Sequence, residues 1–114
     1  MRRSFLMNYK VKSIQVFEKQ AKRLIKKYPS LKVEIGELIQ ELKKNPFIGT
    51  PLKSNCFKIR LSISSKGKGK SGGGRIITHI VIENQTVFLL SIYDKSERNT
   101  LSDKELQELL RSIQ

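Results

Sequence analysis

Residues 63–82 read ISSKGKGKSGGGRIITHIVI, so three lysines alternate with glycines shortly before an apolar segment that opens with Arg75. Glycine lets a backbone approach a partner closely, and each of Lys66, Lys68 and Lys70 can neutralise about one phosphate. We therefore predict that this glycine–lysine loop, residues 64–73, binds the phosphate backbone of a nucleic acid. The alternative is a solvated, disordered hairpin tip.

Part of this loop is similar to a nucleotide-binding motif, but the match fails. Gly69, Lys70 and Ser71 follow the order that ends a Walker A motif, which requires a glycine where this chain has Ser64. The loop also leads into a strand, so no helix N-terminus follows to hold a phosphate. These differences exclude nucleotide hydrolysis of the Walker type.

The distribution of charge along the chain supports a nucleic-acid partner. The 114 residues include 23 Lys and Arg but only 10 Asp and Glu, which gives a net charge of +13. No acidic residue occurs between Glu41 and Glu83, whereas nine basic residues do. A one-sided positive field implies a polyanionic partner, while the plainer interpretation is a basic surface that only keeps the protein in solution.

A single cysteine and a single histidine limit the available chemistry. Cys56 cannot form an internal disulfide, and with His79 as the sole histidine a zinc site or a Cys-His catalytic pair is disfavoured. We expect no metal and no cofactor. The chain has neither an apolar run long enough for a membrane span nor a secretory signal, so we expect a cytoplasmic protein that binds no membrane.

The periodicity of apolar residues predicts the elements that position these side chains. Alternation predicts strands over residues 8–14 and 56–63, and apolar segments predict strands over 75–82 and 86–93. Helical spacing predicts helices over 17–28, 31–42 and 102–113. Ser30, and Ser102 with Glu105, are the predicted N-terminal caps. The order β, α, α, β, β, β, α indicates an α+β fold in a single domain, residues 1–114, in which residues 1–7 are a disordered arm or Met7 is the true start.

The strand at residues 56–63 is predicted to bury one face and expose a basic one. The apolar side carries Phe57, Ile59, Leu61 and Ile63, and the other side carries Cys56, Lys58, Arg60 and Ser62. Because the glycine–lysine loop follows directly, the basic face lies beside its lysines. The predicted interface therefore combines a strand face and a loop.

The segments KIRLSISSKGKGKSGGGRIITHIVI and FLLSIYDKSE, in this order of elements, resemble the RelE/HigB toxins of bacterial type II toxin–antitoxin modules. The resemblance runs from about Tyr9 to Ile113. It implies a RelE-like fold, with an antiparallel-rich sheet of about four strands, an N-terminal helical hairpin and a C-terminal helix. It also implies an endoribonuclease that cuts mRNA on the ribosome without metal, and a cognate antitoxin, which in the HigB branch is often a helix-turn-helix protein.

The resemblance carries catalytic positions onto this chain. The paired basic residues of the RelE strand fall on Lys58 and Arg60, the arginine of the next strand on Arg75, and the basic residue after the third strand on Lys95. The C-terminal catalytic tyrosine of RelE has no counterpart, since the matching region reads ERNTLSD. Tyr93 lies near the site, either as a ring that stacks on an RNA base or as an anchor in the core.

These residue types suit metal-free cleavage of RNA by its ribose 2′-OH. Such a reaction needs a base for the hydroxyl proton and cations for the charged phosphorane. We assign charge stabilisation to Arg60 and Arg75, both expected on the polar face outside the core. The base is then a lysine whose pKa is lowered by neighbouring cations, with Lys58 or Lys95 leading.

Two nearby polar residues are expected to have lesser roles. His79 lies about 13 Å from Arg75 along the same strand, so we expect it to be structural or peripheral. Asp94 is expected only to pair with a nearby cation.

Two other functions stay open at this point. ParE toxins share the fold and inhibit DNA gyrase by binding without hydrolysis, although the basic set of Lys58, Arg60, Arg75 and Lys95 disfavours that function. A plain RNA- or DNA-binding module, or a toxin without activity, is the other alternative. Cleavage of mRNA during translation distinguishes the endoribonuclease from both.

Overall fold

Residues 8–67, 69 and 72–113 are described by the structure, a computed structural model in which one five-stranded sheet carries three helices. The strands are β1 (Lys10–Ser13), β2 (Thr50–Pro51), β3 (Cys56–Leu61), β4 (Gly74–Val81) and β5 (Thr86–Asp94), in the spatial order β1-β5-β4-β3-β2. β1 pairs parallel with β5, and the other neighbours pair antiparallel. The predicted arm at residues 1–7, and the loop residues Lys68 and Lys70, lie outside the described residues.

The sheet has one strand more than the sequence predicts. β2 is only two residues long, and it pairs Thr50 with Lys58 and Pro51 with Phe57 at one edge of the sheet. So short a strand leaves no alternation to detect, and an edge strand tolerates a proline because one side of it needs no backbone donor. The α+β prediction is confirmed, while the sheet of about four strands is corrected to five.

The helices are α1 (Gln15–Lys27) and α2 (Leu31–Lys44), which form the predicted hairpin, and α3 (Asp103–Arg111) near the C-terminus. Residues at helical spacing are buried on one face of each helix of the hairpin: Phe17, Ala21 and Leu24 in α1, and Leu31, Ile35, Leu38 and Leu42 in α2. α1 ends at Lys27 because the next residue, Tyr28, precedes Pro29, and a residue before proline is disfavoured in the helical region.

The two predicted caps behave differently. Ser102 accepts a hydrogen bond from the Glu105 amide at 3.1 Å, and Glu105 accepts one from the Ser102 amide at 2.9 Å, so the capping box of α3 is confirmed. The Ser30 hydroxyl accepts no hydrogen bond from a backbone amide of α2. Its hydroxyl instead donates to Glu34 and accepts from the Ser65 amide in the glycine–lysine loop. A residue that looks like a cap in the sequence therefore makes a tertiary contact.

The apolar core joins the helical hairpin to the sheet. Its largest fully buried side chains come from both helices and from the two long strands, among them Leu24, Leu42, Ile76 and Leu90. β4 and β5 pair along nearly their whole length, with one bulge beside Ile77. Polar side chains carried by these strands therefore have fixed positions.

No helix within the described ranges combines the length and the apolar character needed to cross a bilayer.

Candidate nucleic-acid interface

Three of the predicted site residues stand opposite one another across β3, β4 and β5. Arg60 is the register partner of Arg75, and Arg75 is the register partner of Tyr93. Directly opposed side chains in antiparallel strands share a face of the sheet, with Cβ atoms about 5 Å apart. We call Arg60, Arg75 and Tyr93 the basic row. Its geometry is set by main-chain hydrogen bonds rather than by a loop.

Exposure falls steeply along the basic row. Arg60 is exposed, whereas Arg75 is only 4% exposed and donates from Nη1 to the Gly74 carbonyl at 3.0 Å. The expectation that both arginines lie outside the core is therefore wrong for Arg75, because β4 is the middle strand of the sheet. Arginine stays protonated even when it is buried, so Arg75 supplies a permanent positive charge beneath the surface.

Tyr93 ends the basic row inside the protein. Its hydroxyl is buried and has no hydrogen-bond partner among the described residues. Burial raises the pKa of this hydroxyl, so at neutral pH it is a hydrogen-bond donor rather than a base. Because only 5% of Tyr93 is exposed, the structure favours the anchoring role over stacking on an RNA base.

A further arginine, Arg98, lies over the inner end of the basic row. Its guanidinium carbon is 5.5 Å from the centre of the Tyr93 ring, within cation–π range. Arg98 donates to both carboxylate oxygens of Glu105, at 2.7 and 2.9 Å. Hydrogen bonds from the Ser102 amide and from Arg98 lower the pKa of Glu105 to about 2. Arg98 was not predicted from the sequence, although the capping box already fixed the position of its partner.

The two lysines considered as base lie near opposite ends of the basic row. Lys58 is half-buried on β3, two residues before Arg60 and therefore on the same face. Lys95 is half-buried directly after β5, two residues beyond Tyr93, and its Nζ donates to Asn99 Oδ1 at 2.7 Å. The structure thus places Lys58 at the exposed end and Lys95 at the buried end.

A groove of about 800 Å³ opens at the exposed end of the basic row. Lys58 and Arg60 line one side of it, and three glutamates of α2 line the other, namely Glu34, Glu37 and Glu41. A phosphate is attracted to the β3 side and repelled from the α2 side. The groove therefore restricts the direction in which a polyanion can run away from Arg60.

Lys66, predicted to bind RNA, pairs with a buried carboxylate. Its Nζ donates to Asp94 Oδ1 and to Ser96 Oγ, and only 7% of its side chain and none of the Asp94 side chain is exposed. Burial alone would raise the pKa of Asp94, but hydrogen bonds from Lys66, the Ser96 amide and Tyr28 outweigh it and hold that pKa well below its usual range. Asp94 therefore has the cationic partner expected of it, and the charge of Lys66 is neutralised inside the protein.

No protein-family model matches the sequence, but solved structures match its fold. An E. coli RelE toxin in the free state, with two arginines changed to alanine, superimposes with a TM-score of 0.63 at 17% identity, covering 95% of this chain and 100% of that one. The isolated E. coli RelE toxin gives a TM-score of 0.59 at 18% identity, covering 90% of this chain and 97% of its own. This chain has the RelE fold.

A third match comes from the RelBE2 toxin–antitoxin complex of Mycobacterium tuberculosis. It has a TM-score of 0.58 at 19% identity and covers 77% of this chain and 99% of that one. The RelE fold implied by the glycine–lysine loop and its flanking strands is thus confirmed. At these identities the likeness concerns the fold, and roles of single residues rest on the contacts described above.

Elsewhere on the RelE fold, His79 lies away from the basic row and contacts Cys56. It is the register partner of Cys56, and its Nδ1 lies 3.6 Å from the Cys56 sulfur. Burial raises the pKa of Cys56 to about 11, so the thiol is protonated at neutral pH and is a poor nucleophile. His79 therefore lies where a structural or peripheral role was expected, four residues along β4 from Arg75. Within the described residues, no group of three or more His, Cys, Asp or Glu is arranged to hold a metal ion.

Proposed function

We propose that this protein is the toxin of a type II toxin–antitoxin module and that it cleaves mRNA on the ribosome. The RelE fold supports a toxin of this kind. The observation that carries the proposal is the basic row, in which two arginines are register partners on neighbouring strands. Arg60 and Arg75 bring two guanidinium groups to one face of the sheet, and guanidinium groups suit the binding of phosphate oxygens.

The chemistry proposed for the basic row is attack of a ribose 2′-OH on the adjacent phosphorus, which breaks the bond to the 5′ oxygen. Arg60 is exposed and meets the phosphate first, while Arg75 adds a fixed charge from below. Both stabilise the phosphorane more than the substrate, because its extra negative charge develops at their position. A lysine accepts the proton of the 2′-OH, and Lys58 and Lys95 flank the row as candidates.

The proposed partners are the translating ribosome with its mRNA, and a cognate antitoxin. One structural match is a toxin–antitoxin complex, which supports an antitoxin here. The net charge of +13 favours acidic segments in that protein. The HigB resemblance suggests a helix-turn-helix antitoxin, and we place the activity in the cytoplasm, where ribosomes and mRNA meet.

The test is induced expression in a bacterial host, with protein synthesis measured and the 5′ ends of a translated mRNA mapped by primer extension. We expect translation arrest, new 5′ ends within the reading frame, and rescue by the antitoxin. Arg60→Ala is the matched control, because the change lies on an exposed side chain and should leave the fold intact. Continued protein synthesis at high toxin levels contradicts the proposal.

Other outcomes of the same experiment identify the alternatives. Arrested DNA synthesis with intact mRNA indicates a ParE-like gyrase inhibitor. Binding to ribosomes or RNA with neither cleavage nor arrest indicates a non-catalytic binding module, a result that the engagement of His79 with Cys56 would help to explain, since histidine is the most frequent general base.

A further inference from the structure

The glycine–lysine loop is tied at its first turn to the connection between α1 and α2. The Ser30 amide donates to Ser65 Oγ and the Ser65 amide donates to Ser30 Oγ, each at 2.9 Å. The Ser64 amide donates to Glu34 Oε2 at 2.8 Å. Residues 64–66 form one 3-10 turn, and its first two residues are thus held against the helical hairpin.

The second tie is the ion pair between Lys66 and Asp94. Asp94 ends β5, and its other carboxylate oxygen accepts from the Tyr28 hydroxyl at 2.7 Å. The Lys66 ammonium also lies 5.7 Å from the centre of the Tyr28 ring. The pair therefore connects three elements: the start of the loop, the end of β5 and the end of α1.

The third tie closes the far end of the loop. The Lys95 amide donates to the Gly73 carbonyl at 3.0 Å. A Cβ at Gly73 would lie 2.1 Å from the Leu61 carbonyl oxygen, so only glycine allows the two strands this close approach. Both ends of the loop are consequently fixed next to the segment that carries Tyr93 and Lys95.

We propose that Lys66 and Asp94 are positioning residues, which hold the first turn of the glycine–lysine loop, residues 64–67, in place for RNA while Lys66 itself makes no phosphate contact. Residues lose conformational freedom when they bind a ligand, and a turn that is held in advance loses less. The proposal rests on the proposed function, since the benefit of the ordered loop is tighter binding of RNA. It reassigns Lys66 from ligand contact to support.

The sign of one substitution distinguishes this proposal from simple electrostatics. Asp94→Asn removes a negative charge from a phosphate-binding region, so charge alone predicts tighter RNA binding. Loss of the ion pair predicts weaker binding, because the loop must then be ordered by the RNA. We expect about tenfold weaker binding, the scale of ordering one or two residues.

The binding experiment uses the full chain and a labelled single-stranded RNA oligonucleotide, titrated over a series of salt concentrations. Asp94→Asn and Lys66→Met should weaken binding to a similar extent, and the double variant should be no weaker than either, since each removes the same pair. The salt slope of Lys66→Met should equal that of the unsubstituted protein, while Arg60→Ala lowers it by about one unit. Tighter binding by Asp94→Asn, or a flattened slope for Lys66→Met, overturns the proposal.

A second measurement tests the ion pair without RNA. The Gly67 amide donates to the Ser64 and Ile63 carbonyls, at 3.1 and 3.3 Å, so its hydrogen exchange reports on the first turn of the loop. We expect exchange at Gly67 to be at least about tenfold faster in Asp94→Asn, with exchange in β4 unchanged. Unchanged exchange at Gly67 refutes the positioning role even if RNA binding changes.

These two measurements separate failure of the inference from failure of the proposed function. If the unsubstituted protein binds no RNA and cleaves none, the proposed function fails, and hydrogen exchange still decides whether the pair orders the loop. If Asp94→Asn does not fold, Tyr28→Phe serves instead, because it removes one hydrogen bond to Asp94 and leaves the ion pair. Its effect should have the same direction and a smaller size.

Discussion

The basic row and the glycine–lysine loop are both cationic and adjoin each other, but their positively charged side chains are placed differently. In the row, strand register sets Arg60 opposite Arg75. In the loop, the one described lysine is matched by the buried carboxylate of Asp94. The opposed arginines lie where the proposed function places a phosphate, whereas a lysine neutralised in the interior indicates support for the fold.

The largest expected effect belongs to the loop side of this comparison. Lys66→Met leaves Asp94 buried without its cation, although Tyr28 and Ser96 still donate to it, and should lower the free energy of unfolding by about 3 kcal/mol. Urea denaturation measures this loss. Lys26→Met, on the exposed face of α1, is the control and should change stability by less than about 0.5 kcal/mol. If the two variants were equally stable, the ion pair of Lys66 with Asp94 would not support the fold, and the contrast between the row and the loop would be wrong.

The next effect belongs to the row and concerns rate rather than stability. Arg60→Ala should slow single-turnover cleavage on programmed ribosomes about a hundredfold, because the role proposed for Arg60 is to stabilise charge that appears in the transition state. Ribosome binding should change much less. Arg75→Ala should show the same loss of rate together with lower stability, since Arg75 is buried. If rate and binding fall together, these arginines only hold RNA, and Lys95 is the next candidate for the chemistry.

A third substitution tests the far end of the loop. Gly73→Ala places a methyl group 2.1 Å from a backbone oxygen of Leu61 and should cost about 2 kcal/mol of stability through forced backbone movement. Gly36→Ala is the matched control, because Gly36 lies in α2 and, apart from the backbone of its own helix, nothing lies within 4 Å of the added carbon. That control should raise stability by roughly 0.5–1 kcal/mol. Thermal unfolding of both variants gives the comparison, and a stable Gly73→Ala protein would mean that the strands need not approach so closely.

The smallest expected effect concerns the first turn of the loop, where Ser65 bonds to Ser30. Ser65→Ala removes the acceptor of the Ser30 amide, but water can replace it because the contact is exposed. We expect a loss of at most about 1 kcal/mol. A loss as large as that of Lys66→Met would show that the serine pair, and not the ion pair, holds the loop.

The layout of elements could be predicted because it depends on local periodicity. The buried positions of α1 and α2 follow helical spacing, and the alternation around Arg60 identifies its strand. The predicted faces of that strand are only partly right, because Cys56 on the predicted exposed side is fully buried, while Phe57 and Leu61 on the apolar side are half-buried. Arg60 and Arg75 could be assigned to one site from the strand order. Their direct opposition could not be predicted, because register depends on how many residues the loop between them uses.

The contacts that hold the site together could not be predicted from the sequence, for a different reason. Lys66 and Asp94 are 28 residues apart, and neither position differs in type from other lysines and aspartates of the chain. The burial of Arg75 depends on its place in the middle strand, and Arg98 reaches Tyr93 only through the path of the chain after β5. The extra edge strand was missed because two residues form no pattern.

The parallel pairing of β1 with β5 has a consequence for the timing of synthesis. Residues 10–13 leave the ribosome early, but their partners at 86–89 are added after three quarters of the chain. The inner end of the basic row and the partner of Lys66 come later still, at Tyr93 and Asp94. In a nascent chain, β1 therefore stays unpaired, and the basic row cannot form, until translation is nearly finished. Under the proposed function, the protein would therefore be inactive toward the ribosome that makes it.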